Sequence, residues 1–180
     1  MFRHRIAGEG DKAAIAALMS ASIEINMREF LSAEEIEAAK ETMGVDQTLI
    51  DDGTYFLIET EVHGKNLLVG CGGWGRRRTL YGGDHSPGRD DSFSDPASEP
   101  ARIRAMYTHP DWTRQGIGTL LLDLGENAAR SAGFRTIELG STIPGEPLYR
   151  ARGYREVSRV TQTGANGQPN EVIHMRKSLL

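Results

Sequence analysis

The chain has 180 residues, of which 38% are hydrophobic and 26% are charged, and its formal net charge is −4. This composition predicts one folded domain over residues 1–180 and excludes a disordered chain. The negative charge argues against nucleic acid or an anionic membrane as the main partner. A single cysteine, Cys71, excludes an intramolecular disulfide. No apolar segment of membrane-spanning length occurs, so we expect a cytoplasmic protein.

The first part of the chain predicts a strand and two helices. Residues 2–7 read as a short strand, after which Asp11 would cap a helix whose apolar residues share one side. Ser32 and Glu35 have the spacing of a capping box. They predict a second helix that ends at Gly44.

The next segment predicts a hairpin and then a long loop. Residues 54–60 and 67–74 are rich in β-branched and aromatic residues, and the Gly64 between them favours an antiparallel hairpin. From 75 to 100 the composition changes to Gly, Pro, Asp, Ser and Arg with almost no apolar periodicity, which indicates a surface loop. Loops of this length are uncommon unless they have a function.

The second half of the chain combines a strand, a glycine turn and a helix. Alternating apolar and polar residues predict a strand over Ala101–Thr108. Gly116 and Gly118 then open an amphipathic helix that Gly133 ends. The remaining predicted elements are a strand at 135–139, a short helix at 147–152, and strands at 154–160 and 171–177.

The turn before this helix has the features of an anion-binding site. The first N–H groups of a helix have no partners within it, and the helix dipole adds partial positive charge there. Because Gly116 and Gly118 have no Cβ, a diphosphate could lie against the amides of residues 114–119, with the Arg114 side chain nearby. Gly-x-Gly before a helix is also common as an ordinary turn, so the pattern alone leaves both interpretations open.

Two motifs, in this order, resemble the GCN5-related N-acetyltransferase (GNAT) superfamily. The first runs from Met106 to Gly133, and the second is Leu-Tyr-Arg-Ala-Arg-Gly-Tyr over residues 148–154. The resemblance implies an α+β fold with a mixed, mostly antiparallel twisted sheet of about seven strands. Helices would flank this sheet, which would be splayed between its fourth and fifth strands. The implied activity is acetyl transfer from acetyl-CoA to an amine by direct attack in a ternary complex.

The resemblance also assigns the acetyl-CoA site. The pyrophosphate would lie on the amides of Arg114, Gln115, Gly116, Ile117, Gly118 and Thr119. Backbone groups of Met106, Tyr107 and Thr108 would contact the pantetheine arm. Ser141 would lie beside the same arm. Thr113 stands where the family often has Gln or Arg, a departure of small weight because the backbone holds most of the ligand.

Tyr149 is the candidate general acid. Similar enzymes carry a tyrosine near the coenzyme sulfur, and a phenol with a pKa of about 10 can protonate a thiolate. The alternative is a tyrosine whose ring only packs in the core. A backbone N–H near Met106 would polarise the thioester carbonyl. Glu99 and Glu24 are candidates for the general base, but both fit solvated surface carboxylates better, and a water chain could serve instead.

Other residues carry weaker expectations. Trp74 ends a strand close to where an acceptor would bind, so it either lines the substrate pocket or packs in the core. The scattered histidines lack the grouping of metal ligands, so we predict no metal.

The acceptor would be a small-molecule or peptide amine, and the net negative charge favours a cationic one. The analogy with the family would allow a homodimer.

Two further classes of protein stay open. A non-catalytic acyl-CoA-binding or sensing domain would keep the glycine turn without the reaction, although Tyr149 argues against it. A nucleotide-binding enzyme of the Rossmann or P-loop type would need a third glycine at the fingerprint spacing or a Gly-Lys-Ser/Thr sequence, and neither occurs.

Overall fold

Seven strands form one mixed sheet in a computed structural model that describes residues 1–180. In chain order they are β1 (Arg3–Ile6), β2 (Tyr55–Val62), β3 (Lys65–Gly75), β4 (Ala101–Thr108), β5 (Thr136–Ser141), β6 (Arg155–Thr163) and β7 (Pro169–Ser178). Their order across the sheet is β1-β2-β3-β4-β5-β7-β6, and β4 with β5 is the one parallel pair. This confirms the predicted mixed, mostly antiparallel sheet. It is not the parallel sheet of a Rossmann fold.

Helices cover both faces of the sheet. They are α1 (Lys12–Asn26), α2 (Ala33–Ala39), α3 (Gln47–Asp51), α4 (Ile117–Ser131) and α5 (Glu146–Ala151). Apolar residues of α1, α2 and α3 share one buried cluster with Tyr55 and Tyr107, whereas those of α4 pack with Ile103 and Phe134 on the opposite face. None of the helices has the length and hydrophobicity that crossing a bilayer requires.

The second helix is shorter than predicted. Its capping box is present, since the Ser32 hydroxyl accepts from the Glu35 N–H at 3.1 Å. The helix ends at Ala39 rather than near Gly44, and a 3-10 turn follows in which the Thr42 hydroxyl donates to the Ala39 carbonyl at 3.1 Å. Local side-chain bonds of this kind compete with continued helix.

The central strands diverge after a short paired stretch. The parallel register of β4 and β5 has two pairs, Ala101 with Ile137 and Arg102 with Glu138. Farther along, β4 bulges against β3, and Ala105 in the bulge has a φ of 51°, in the left-handed region. The buried Tyr55 hydroxyl donates to the Ala105 carbonyl at 3.0 Å and holds the bulge. The predicted splay is therefore present, and it opens the middle of the sheet.

Residues 76–100 connect β3 to β4 without a helix or strand, and ion pairs fasten this long loop to the domain. The fully buried Asp46 carboxylate lies 2.7 Å from the Arg104 guanidinium and 3.3 Å from that of Arg89. Arg104 also donates to the backbone carbonyls of Thr79 and Gly82. These bonds fix residues 80–82 beside the open part of the sheet.

Candidate active site

A cavity of about 670 Å³ lies where β4 and β5 diverge. The last turns of α1 and residues 80–82 of the long loop line one part of it. The first turn of α4 and most of α5 line the other part. Because α1 and α4 cover opposite faces of the sheet, the cavity is accessible to groups from both faces. Its volume is in the range of ordinary ligand sites.

The turn before α4 and the first turn of that helix lie on the wall of this cavity. Arg114 and Gly116 have φ values of 62° and 87°, in the left-handed region, and turns that contain such residues form concavities of successive backbone N–H groups that bind anions. No side chain caps α4 at Gly116, so the first-turn N–H groups lack a protein partner. A Cβ at Gly116 would meet no atom within 4 Å. This open, electropositive cradle fits a diphosphate.

Gly118 has a different role from Gly116. A Cβ at Gly118 would come within 2.6 Å of the Leu148 Cδ2 atom. The missing side chain therefore allows the first turn of α4 to pack closely on α5. This packing places the N–H cradle and Tyr149 on the wall of the same cavity.

Most of the predicted coenzyme residues meet at the cavity. Those that line it are Met106, Tyr107, Thr108, Arg114, Gly116, Ile117, Gly118, Thr119, Ser141 and Tyr149. Gln115 is exposed and its side chain is not part of the wall. The Ser141 hydroxyl donates to the Thr142 carbonyl at 2.7 Å, so Ser141 lines the wall with its hydroxyl already engaged.

Tyr149 presents a weakly engaged hydroxyl. Its ring packs edge-on against Tyr154, with the centroids 5.9 Å apart. The hydroxyl has one protein neighbour within bonding reach, the Met106 sulfur at 3.9 Å, which is a weak acceptor. Burial raises the pKa of Tyr149 to about 12. The phenol is therefore protonated at neutral pH and keeps its proton available for a stronger acceptor.

Trp74 lies outside this group of residues. Its side chain is 4% exposed, and its ring packs edge-on against Phe134 at a centroid distance of 6.0 Å. It takes no part in the cavity wall. Of the two interpretations of Trp74, the structure therefore favours core packing over a substrate contact.

Neither carboxylate considered as a general base reaches the cavity. Glu24 pairs with Lys40, which lowers the pKa of its carboxyl. Glu99 pairs with Arg78 at 2.7 Å and accepts the Asp95 N–H, and these bonds lower its pKa to about 2. Both groups are held ionised and are weak bases. No Asp, Glu or His lines the cavity.

Asn26, at the end of α1, is a cavity residue that sequence reasoning missed. Its amide nitrogen donates to the Thr108 carbonyl at 2.9 Å and to the Ser22 hydroxyl at 3.1 Å. These two bonds fix the amide orientation and leave Oδ1 without a protein donor. The contact joins residues 82 positions apart, so no local pattern could indicate it.

Comparison with known proteins gives one family. A family model described as the acetyltransferase (GNAT) family matches residues 20–154, which is well over half of the chain. Among curated proteins there is no match.

Three solved structures illustrate the shared fold. The GCN5-related N-acetyltransferase from Rhodopseudomonas palustris is 22% identical, with a TM-score of 0.68 and coverage of 98% of this chain and 94% of that one. The yncA protein of Salmonella typhimurium, solved with its cofactor acetyl-CoA, is 17% identical, with a TM-score of 0.64 and coverage of 100% and 95%. The paia N-acetyltransferase of Thermoplasma acidophilum, solved with coenzyme A, is 14% identical, with a TM-score of 0.61 and coverage of 99% and 99%.

Proposed function

Because the chain belongs to the acetyltransferase (GNAT) family, a group of acetyl-CoA-dependent acyltransferases, we propose that it acetylates a primary amine of a small molecule or peptide. The amine attacks the thioester directly while both substrates are bound. The observation that carries this proposal is the cavity where β4 and β5 diverge. Its wall includes an N–H cradle for a diphosphate, an open strand edge and the Tyr149 phenol.

The residues present fit acetyl-CoA. The cradle from Arg114 to Thr119 offers unpaired N–H groups and the positive end of the α4 dipole to the pyrophosphate. Between this cradle and Tyr149, β4 has left its partner β5, so Met106 has backbone groups to offer the amide groups of the pantetheine arm, whereas the Thr108 carbonyl already accepts from Asn26. When bound, acetyl-CoA supplies the activated acetyl group.

This chain's own groups supply polarisation and a proton. A backbone N–H of the bulged part of β4, near Met106, would donate to the thioester carbonyl oxygen as negative charge develops there. As the new C–N bond forms and the C–S bond breaks, the Tyr149 hydroxyl would give its proton to the leaving sulfur. The tyrosinate is then reprotonated from solvent, because the pKa of about 12 strongly favours the phenol.

The acceptor must lose a proton without help from a carboxylate or histidine, since none lines the cavity. We therefore expect kcat/KM for the amine to rise with pH until the acceptor's own pKa is reached. No descending limb should appear below about pH 10, because the raised pKa of about 12 keeps Tyr149 protonated.

Rate profiles with two acceptors of different pKa test this expectation. The inflection should move with the pKa of the acceptor. An inflection fixed at the same pH for both acceptors would show that a group on the enzyme acts as the base.

Calorimetric titration tests the donor assignment. Acetyl-CoA and coenzyme A should bind one equivalent per chain, whereas ATP and NAD should bind far more weakly because they lack the pantetheine arm. Selective binding of ATP or NAD would contradict the proposal and would support the alternative that the glycine turn binds a nucleotide.

A further inference from the structure

Resting on the proposed acetyl transfer, we infer that the acceptor is a primary amine with an apolar body and without a second positive charge. The inference concerns the part of the cavity on the α1 side of the sheet, which we call the acceptor chamber. Its wall includes Met27, Phe30, Met43, Leu80, Tyr81 and Val172.

The acceptor chamber offers mainly apolar contacts. Phe30, in the turn after α1, lines this wall and is 50% exposed, so its ring is available for contact with a ligand. Opposite elements supply Tyr81 and Val172, and Tyr81 is fixed because its ring lies against Gly140 and its hydroxyl accepts from the Gln162 amide at 2.8 Å. Binding of an apolar acceptor against this wall is favourable, because it removes the apolar surface of both from water.

The charges of the chamber are the second observation. The charged residues on the cavity wall are Arg104 and Arg114, and both are cations. The nearest buried carboxylate, Asp46, lies behind Arg104 and is already bonded to Arg104 and Arg89. A second ammonium group in the chamber would therefore lose water without gaining an anion, which is costly.

One ammonium group can nevertheless be accommodated at the end of α1. The last turn of α1 lines the cavity, and the C-terminus of a helix carries partial negative charge. The Asn26 Oδ1 atom is held in place without a protein donor. These groups suit one reacting amine, and no carboxylate on the wall remains to pair with a second cation.

The acidic net charge of the chain, which by itself favours a cationic acceptor, does not extend to the cavity wall. The 25 Asp and Glu residues make the whole chain negative, yet none of them lies on the cavity wall. Net charge describes the surface as a whole, whereas acceptor choice depends on the few side chains that touch the acceptor.

A matched pair of acceptors tests the inference. Hexylamine and 1,6-diaminohexane share a six-carbon chain and differ in the second amine. We expect kcat/KM for hexylamine to exceed that for the diamine by about tenfold or more, counted per amine, because the second ammonium would lose water without gaining an anion. A tenfold ratio corresponds to about 1.4 kcal/mol. Equal rates, or a preference for the diamine, would overturn the inference while leaving acetyl transfer intact.

A variant with a new carboxylate gives the converse test. Phe30→Glu should reduce the preference for hexylamine at least about tenfold, since the new anion can pair with the second ammonium. Phe93→Glu is the matched control, because Phe93 is also exposed (58%) but lies outside the cavity, and it should leave the ratio unchanged. An unchanged ratio in Phe30→Glu would overturn the placement of the chamber. If no amine is acetylated although acetyl-CoA binds, the proposed function fails together with the inference.

Discussion

Replacing Tyr149 by phenylalanine is expected to lower kcat by about 10²–10⁴-fold, the range for loss of a general acid, while leaving the affinity for acetyl-CoA nearly unchanged. The change removes the hydroxyl of this cavity-wall residue but keeps the ring that packs on Tyr154. Because the hydroxyl's one protein contact is the Met106 sulfur at 3.9 Å, its loss should cost little folding free energy. Single-turnover rates and calorimetry measure the two effects separately.

Tyr154→Phe is the matched control for this experiment. Tyr154 lies beside Tyr149, but its hydroxyl donates to the buried Glu126 at 3.0 Å and does not reach the cavity. We expect this variant to lose stability in denaturant unfolding and to keep its turnover. Normal turnover in Tyr149→Phe would remove Tyr149 from catalysis and restore the interpretation of a packing tyrosine.

Replacing Gly116 by valine is expected to weaken acetyl-CoA binding by roughly 10- to 150-fold. A β-branched residue is strained at a φ of 87°, so the turn must change its conformation and its N–H groups no longer converge. The estimate corresponds to one lost hydrogen bond to a charged group, about 1.5–3 kcal/mol. Gly118 is a poorer choice for this test, because its Cβ would also displace Leu148 next to Tyr149.

Gly167 provides the control for backbone strain. It has a φ of 79° in the turn between β6 and β7, and a Cβ there would also meet no atom within 4 Å. Gly116→Val and Gly167→Val should therefore lose similar unfolding free energy, about 1–2 kcal/mol each. Only Gly116→Val should lose coenzyme affinity. Equal affinities in the two variants would show that the turn does not hold the pyrophosphate.

Elements with a strong periodic pattern could be predicted from the sequence. The helical spacing between Gly116 and Gly133 and the alternation in Ala101–Thr108 gave α4 and β4 close to their observed bounds. The five-residue helix α3 was not predicted. Its one local signal is Asp46, whose side chain accepts from the Thr48 N–H at 3.0 Å, and a helix this short has no periodicity to detect.

The same distinction holds in the candidate site: features that depend on neighbouring residues could be predicted, whereas features that depend on distant contacts could not. The N–H cradle is a property of consecutive residues 114–119, so the sequence could indicate it. The bulge at Ala105 could not be predicted, because an alanine gives no signal of a positive φ and the bond that holds it comes from Tyr55. Trp74 was ambiguous because glycines on both sides of it remove the alternation that shows which face of a strand is buried.

The composition of the acceptor chamber also could not be predicted. Its wall combines α1, the long loop and β7, and the sequence order of these elements does not show which of their side chains meet. The loop was expected to serve a function because of its length, and its residues 80–82 reach the cavity through the ion pairs of Asp46. Only the folded structure shows that the charged residues on the cavity wall are arginines, although the chain as a whole is negative.

The central claim is that the cavity transfers an acetyl group and does not merely bind acetyl-CoA. The direct measurement is to incubate the protein with acetyl-CoA and hexylamine, and to quantify free coenzyme A thiol and N-acetylhexylamine in the same samples. Both products should accumulate catalytically and in equal amounts, with Tyr149→Phe slowing both together. Saturable binding of acetyl-CoA with neither product formed, for hexylamine and across a panel of other amines, would contradict it and identify a non-catalytic acyl-CoA-binding domain.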